Sequence, residues 1–201
     1  MTVRPQGTIR PSLAWLLAAS LLALAPGCAS GPRLYVNSEA DLAFYKKIAV
    51  LPFTNLSAER FAGERVTRGF LVELTMAERY QIVDPAEFLA LLDKMGGLPG
   101  SNGIYDPAKL KDAATQVGAN AVLRGAVTEF RMQRTGNSEI PVVAFDVELI
   151  DVATSNVIWR GSIGKRGKGR VPVFGGGQRT YAGLVESASR ELVGRLEKEG
   201  F

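Results

Sequence analysis

The sequence predicts a mixed α/β domain in which about four helices cover a mostly antiparallel sheet, in the order β-α-β-α-α-β-β-β-α. Two patterns lead to this prediction. In four segments, apolar residues recur every three or four positions, as on the buried side of amphipathic helices. In three consecutive later segments, apolar and polar residues alternate, which is typical of strands with one exposed face.

The first predicted strand is a continuous apolar run within Lys46–Phe53, KKIAVLPF. A run without alternation indicates a central strand that is buried on both faces. The following helix is predicted to start at Ser57, because serine is a favourable N-cap. Its buried side is formed by apolar residues at four-residue spacing: Ala62, Val66, Phe70 and Leu74.

A short strand at 80–83 precedes two helices that open with the same dipeptide, an aspartate followed by proline. Asp84 and Asp106 are expected to cap the free backbone N–H groups of the first turn. Proline is well tolerated directly after such a cap. Gly96 and Gly118 are expected to end the two helices, because glycine readily adopts the left-handed conformation found there.

Three strands and a last helix complete the prediction: Ala121–Met132, Val142–Val152, Val157–Ile163 and the helix 180–198. In the second of these strands, Asp146 and Glu148 alternate with apolar residues. The two acids are therefore expected on the solvent side of the sheet.

The N-terminal segment has the organisation of a secretory signal. Arg4 and Arg10 precede an apolar run, Leu13–Ala25, which is too short to span a membrane. Small residues then lead to Cys28, and Ala25-Pro26-Gly27-Cys28 resembles a bacterial lipobox. The predicted division is a signal peptide at 1–27, a lipidated tether at 28–45 and a globular domain at 46–201. The tether would reach at most about 60–65 Å.

By resemblance to lipoprotein sorting rules, Ala29 after the cysteine implies transfer to the outer membrane, with the domain on the periplasmic face. An ordinary cleaved signal with an incidental cysteine is the alternative.

The composition restricts the available chemistry. The chain has no histidine and one cysteine, so it lacks histidine-dependent nucleophile pairs, histidine-ligated zinc sites and internal disulfides. Its net charge is +4, and removal of the signal, with its two arginines, would leave +2. We therefore predict a protein that is not an enzyme, with no catalytic residues, no cofactor and no metal site.

A basic, glycine-rich segment near the C-terminal end is the most distinctive local feature. It includes Lys165, Arg166, Lys168 and Arg170, and no acid lies between Val152 and Val185. Such a segment can bind lipid phosphates, lipopolysaccharide or an acidic partner. It can equally be a solvated loop, as most charge runs are. Nucleic acid is disfavoured by the export signal.

An enzymatic alternative rests on Asp146 and Glu148, which face the same way and resemble the paired carboxylates of glycosidases. Acids on an exposed sheet face more commonly keep the surface soluble. Trp159 and Tyr181 are expected in the core rather than as a platform for sugars.

Several of these segments together resemble a family of bacterial envelope lipoproteins. They are KKIAVLPFTNLS, RYQIVDPAEFLALL, GANAVLRGAV and FDVELIDVATSNVIWRG. The family includes the curli-secretion channel CsgG and the penicillin-binding-protein activator LpoB, and its fold is related to the N-terminal domain of TolB. The resemblance implies a non-enzymatic interaction or assembly module of an envelope complex.

Two more specific roles are alternatives within that family, an activator of a penicillin-binding protein and a secretion channel. The implied partners are accordingly a peptidoglycan synthase or a secretion complex, and an oligomer is compatible with either. The short segments Gly96–Tyr105 and Gly164–Arg179 disfavour a channel, because membrane hairpins need strands of about 9–11 residues. The short tether disfavours an activator that must reach across the periplasm.

Overall fold

The structure is a computed structural model that describes residues 31–100, 104–136, 138–167 and 180–200. The described residues form seven strands, one short 3-10 helix and four α-helices. The elements are, in chain order, β1 (Arg33–Val36), the 3-10 helix (Leu42–Phe44), β2 (Lys47–Val50), β3 (Thr54–Asn55), α1 (Ala62–Met76), β4 (Gln81–Val83), α2 (Pro85–Lys94), α3 (Pro107–Gln116), β5 (Ala121–Thr135), β6 (Ser138–Asp151), β7 (Val157–Arg166) and α4 (Tyr181–Gly200).

The strands form one sheet in the order β1-β7-β6-β5-β2-β4, and β3 also pairs with β5. The long pairings of β5 with β6 and of β6 with β7 are antiparallel, as is that of β1 with β7. The short pairings of β2 with β4, β2 with β5 and β3 with β5 are parallel. The predicted fold class, a mixed and mostly antiparallel sheet with four helices, is confirmed.

Helices lie on both sides of this sheet. Helices α1 and α4 cover one face with a large apolar cluster that includes Phe70, Phe145 and Trp159. Helices α2 and α3 cover part of the opposite face through a smaller cluster. Strand β2 contributes Ile48 to the first cluster and Ala49 to the second, and both residues are fully buried. The prediction of a central strand buried on both faces is therefore confirmed.

The two predicted aspartate caps are present. Asp84 accepts hydrogen bonds from the backbone N–H groups of Ala86 and Glu87, both at 2.9 Å. Asp106 accepts from Ala108 at 2.9 Å and from Lys109 at 3.3 Å. These bonds satisfy first-turn donors that have no partner within the helix.

The start of α1 differs from the prediction. The helix begins at Ala62, and no side chain caps it at Phe61. The Ser57 hydroxyl instead donates to Oδ1 of Asn55 at 2.8 Å, while Nδ2 of Asn55 donates to the Glu59 carbonyl at 2.7 Å. Ser57 is therefore not the N-cap, because Asn55 holds the preceding residues in a loop.

The folded part of the chain begins earlier than the predicted boundary at Lys46. Strand β1 pairs with β7, placing Arg33 opposite Ser162 and Val36 opposite Trp159. Leu34 and Val36 pack against the larger apolar cluster, and Leu42 of the 3-10 helix is buried in it. Residues 33–45, which the sequence assigned to the tether, are thus part of the domain.

Candidate binding surfaces

One region of the sheet has no described helix over it. The apolar cluster beneath α2 and α3 includes Val122 of β5 and Val152, just after β6, but no residue of β7 or β1. Residues directly opposite each other on neighbouring strands point to the same side, which allows the rest of this surface to be traced through the strand register. We call it the open face. Its charged and aromatic side chains among the described residues are Arg33, Tyr35, Arg124, Glu129, Arg131, Asp146, Glu148, Arg160 and Arg166.

Ion pairs of one carboxylate with two arginines connect three neighbouring strands on the open face. Glu148 of β6 lies opposite Arg124 of β5 and Arg160 of β7. One carboxylate oxygen accepts from Nε of Arg124, and the other accepts from Arg160, whose Nε lies at 3.0 Å. Burial alone would raise the pKa of Glu148, but the hydrogen bonds from Arg160 and Arg124 outweigh it and lower the pKa. Glu148 therefore stays ionised and joins three strands.

Asp146 is in a different environment on the same face. It lies opposite Ala126 and Ser162, and the described residues offer it no ion pair. Burial is the main reason why the pKa of Asp146 is raised from its ordinary value. A glycosidase-like pair would need Glu148 free to act. Because both oxygens of Glu148 are held by arginines, the geometry gives that residue a structural role.

The residues of the predicted basic site are only partly described. Nζ of Lys165 is paired with Glu191 of α4, so Lys165 points to the helix-covered face. Arg166 follows it on β7 and is exposed on the open face. Lys168 and Arg170 lie outside the described residues, as does Cys28. Strand β7 extends to Arg166, past the predicted start of the loop at Gly164, and places Lys165 and Arg166 on opposite sides of the sheet.

A second surface is a groove of about 650 Å³ between α1 and α4. We call it the helix groove. Its walls are mainly apolar, with Val72 and Met76 of α1 on one side and Val185 of α4 on the other. Val72 is 56% exposed and Met76 is 67% exposed. Large apolar side chains with this exposure, side by side in a groove, are typical of a protein-binding site.

One end of the helix groove is closed by an aromatic pair. The rings of Phe130 and Tyr181 stack with their centroids 4.3 Å apart, and the Arg65 guanidinium lies 5.9 Å from the Phe130 centroid. Trp159 is fully buried elsewhere in the same cluster. Trp159 is therefore a core residue, as predicted, whereas Tyr181 is partly buried and packs against the core from the wall of the helix groove.

Charged side chains form the rim of the helix groove. Arg190 of α4 donates to the nearly buried carboxylate of Glu73 at 3.2 Å and to Glu186 at 2.6 Å. Arg68 pairs with Glu64 at 2.8 Å. An apolar centre with paired charges around it matches the usual anatomy of protein interfaces.

Sequence reasoning missed the helix groove, although a signal was present. The buried stripe of α1 runs through Ala62, Val66, Phe70 and Leu74. Val72 and Met76 are four residues apart, which puts them on one side of the helix, but they are outside that stripe. An apolar pair on the polar side of an amphipathic helix indicates a second contact surface.

Within the part of the chain that the structure describes, no group of three or more histidine, cysteine, aspartate or glutamate side chains is placed to hold a metal ion. Among the helices of that same part of the chain, none has the length and apolar character needed to cross a membrane.

Comparison with known proteins identifies relatives of this fold. PelC from Paraburkholderia phytofirmans, described as a dodecamer, superposes with a TM-score of 0.56 at 22% identity, covering 82% of this chain and 95% of PelC. Lipoprotein GNA1162 from Neisseria meningitidis superposes with a TM-score of 0.53 at 19% identity, covering 76% of this chain and 99% of GNA1162. No curated protein shows a significant match.

A family model settles the relationship more directly than these distant structures. The model of the peptidoglycan-synthase activator LpoB matches residues 33–163, which is more than half of the chain. The matched region starts at the first residue of β1 and ends within β7. The chain therefore belongs to the LpoB family of peptidoglycan-synthase activators, proteins of the bacterial cell envelope.

Proposed function

We propose that this protein is an outer-membrane lipoprotein, anchored through Cys28, that binds a peptidoglycan synthase and regulates it. The observation that carries the proposal is the family match over residues 33–163. The signal-like segment and the lipobox-like residues before Cys28 support the anchor. Regulation by contact also agrees with a composition that lacks histidine.

The helix groove is the proposed docking site for the synthase. It combines exposed apolar side chains at Val72 and Met76 with a rim of paired charges. Burial of such side chains by a partner contributes most of the binding free energy at typical interfaces. The open face offers mainly charged groups and is less suited to this role.

Strand β1 starts only a few residues after Cys28, which limits how far from the membrane the domain can contact the synthase. Arg33 is five positions after Cys28, so an anchored domain stays within about 17 Å of its lipid. The synthase must therefore present its regulatory surface close to the outer membrane. A synthase with an elongated periplasmic part meets this requirement.

The experiment is a glycan-polymerisation assay with the purified synthase of the same organism. Wild-type protein is expected to bind the synthase and change its rate. Val72→Asp and Met76→Asp are each expected to weaken binding by at least tenfold. Leu56→Asp is the matched control, because Leu56 is 65% exposed and lies outside the helix groove. If wild-type protein neither binds the synthase nor alters its rate, the proposed regulation is wrong.

Mass spectrometry of the native protein tests the anchor separately. The expected N-terminus is an acylated Cys28, and a chain cleaved elsewhere with a bare thiol would contradict this part of the proposal.

A further inference from the structure

Positive charge is concentrated on the part of the sheet that no described helix covers. Five arginines lie on the open face, against three acids, Glu129, Asp146 and Glu148. Glu148 is already paired with Arg124 and Arg160, and Glu129 pairs with Arg131 at 3.3 Å. Arg33 and Arg166 form no ion pair with any described residue. The open face therefore presents a net positive charge with two uncompensated guanidinium groups.

These two arginines lie at the end of the sheet from which the N-terminal segment departs. Strand β1 is antiparallel to β7. The start of β1, at Arg33, therefore lies towards the same end of the sheet as Arg166, the last residue of β7. Cys28 is five residues before Arg33, a maximum reach of about 17 Å. A lipid on Cys28 would thus hold Arg33 close to the bilayer surface. This step rests on the anchor proposed above.

The composition of the open face suits an anionic surface. Its exposed side chains are mainly charged, whereas a peptide partner usually fits a groove or an apolar pocket. Tyr35 is 53% exposed at the margin of the open face. Tyrosine is favoured at the boundary between lipid and water, because its ring is apolar and its hydroxyl is polar.

We propose that the open face docks onto the anionic phospholipid headgroups of the membrane that carries the anchor, with Arg33 and Arg166 as the principal contacts. The docked orientation turns α1 and α4, which cover the opposite face of the sheet, away from the bilayer. The helix groove is then accessible to a partner while the lipid anchor holds the domain in place.

Vesicle binding by a chain that cannot be acylated isolates this contact from the anchor. The protein begins at residue 28 and carries Cys28→Ser, and circular dichroism confirms that each variant is folded. It is expected to bind vesicles of phosphatidylcholine with 30% phosphatidylglycerol far better than vesicles of phosphatidylcholine alone. Binding is expected to weaken as salt is added, because the attraction is between charges.

Charge-neutral variants locate the contact. Arg33→Gln together with Arg166→Gln is expected to weaken binding roughly 25-fold, or about fivefold for each charge near an anionic surface. Arg33→Lys with Arg166→Lys is expected to retain most of the binding. Arg68→Gln with Arg195→Gln is the matched control, since these exposed arginines lie on α1 and α4 and the net charge changes equally.

The possible outcomes separate this inference from the proposed function. Equal loss in both glutamine pairs, or equal binding to neutral and anionic vesicles, would overturn docking through the open face. Preferential binding to an acidic protein or to peptidoglycan, with none to anionic vesicles, would overturn it as well. None of these results affects acylation of Cys28 or the synthase assay, which test the proposed function separately.

Discussion

Gly69 of α1 and Val185 of α4 approach each other so closely that a Cβ atom on Gly69 would lie 2.4 Å from Cγ1 of Val185. This contact lets the two helices that cover the sheet pack side by side, and it forms the floor of the helix groove. A side chain at position 69 would have to push the helices apart.

Gly69→Ala is therefore expected to destabilise the protein. Overpacking typically costs about 1–3 kcal/mol, against which alanine recovers up to about 1 kcal/mol of helix propensity. The net loss should be about 1–2 kcal/mol in the free energy of unfolding, measured with urea. Gly194→Ala is the matched control within α4, since a Cβ there meets nothing within 4 Å. That variant should gain about 0.5–1 kcal/mol.

Glu148→Gln should destabilise the sheet, because it removes the shared partner of Arg124 and Arg160. We expect a loss of about 1–2 kcal/mol at neutral pH, reduced from the value for a buried pair because both arginines are partly in solvent. Glu129→Gln, which breaks the exposed pair with Arg131, should cost less than about 0.5 kcal/mol. Equal losses of stability in the Glu148→Gln and Glu129→Gln variants would show that the ion pairs of Glu148 contribute no more than an exposed surface pair.

The pH dependence of the Glu148 effect follows from its lowered pKa. A carboxyl whose pKa is lower in the folded state stabilises the protein above its unfolded pKa. The difference between wild type and Glu148→Gln should thus be complete at neutral pH. It should shrink as the pH falls below the ordinary value of 4.5 and through the lower folded-state pKa.

Asp146→Asn should have the opposite effect. Burial raises the pKa of Asp146 above its ordinary value of 3.8, so the ionised side chain opposes folding at neutral pH. The variant is expected to be slightly more stable at pH 7, by less than about 1 kcal/mol because the site is partly solvated. The gain should shrink as the pH falls through the raised folded-state pKa and be lost below 3.8, where wild-type Asp146 is protonated in both the folded and the unfolded state. A loss of stability at pH 7 would contradict the proposed cause.

Asp84→Ala and Asp106→Ala should each cost about 1 kcal/mol, the usual value of an N-cap. Each removes a carboxylate that accepts two backbone N–H groups. Asp93→Ala is the control. Asp93 is exposed near the end of α2, and its side chain accepts no capping hydrogen bond from any described residue. Thermal unfolding followed by circular dichroism measures the difference.

Local patterns were sufficient to predict most of the fold. The helices around Phe70 and Phe88 and the strand carrying Val143, Phe145 and Val147 each repeat with the period of their own structure. The Asp-Pro pairs also marked the starts of α2 and α3. In each case the interactions that define the element are between residues only a few positions apart in the sequence.

The missed elements depend on contacts that are remote in sequence. Strand β1 has four residues and β3 has two, too few for a period to be recognised. Leu34 is part of a strand because it pairs with Gly161, which is remote from it in the sequence. The separation of Lys165 from Arg166 likewise required knowing that β7 continues beyond Gly164. Composition alone grouped these two residues into one site.

The pairing of β1 with β7 joins the first and the last strand of the described residues. Because contacts between remote parts of a chain are slow to form, we expect Leu34 and Val36 to join the core late in folding. A chain truncated before Val157 would leave β1 without its sheet partner, so the N-terminal strand depends on a segment near the other end of the chain.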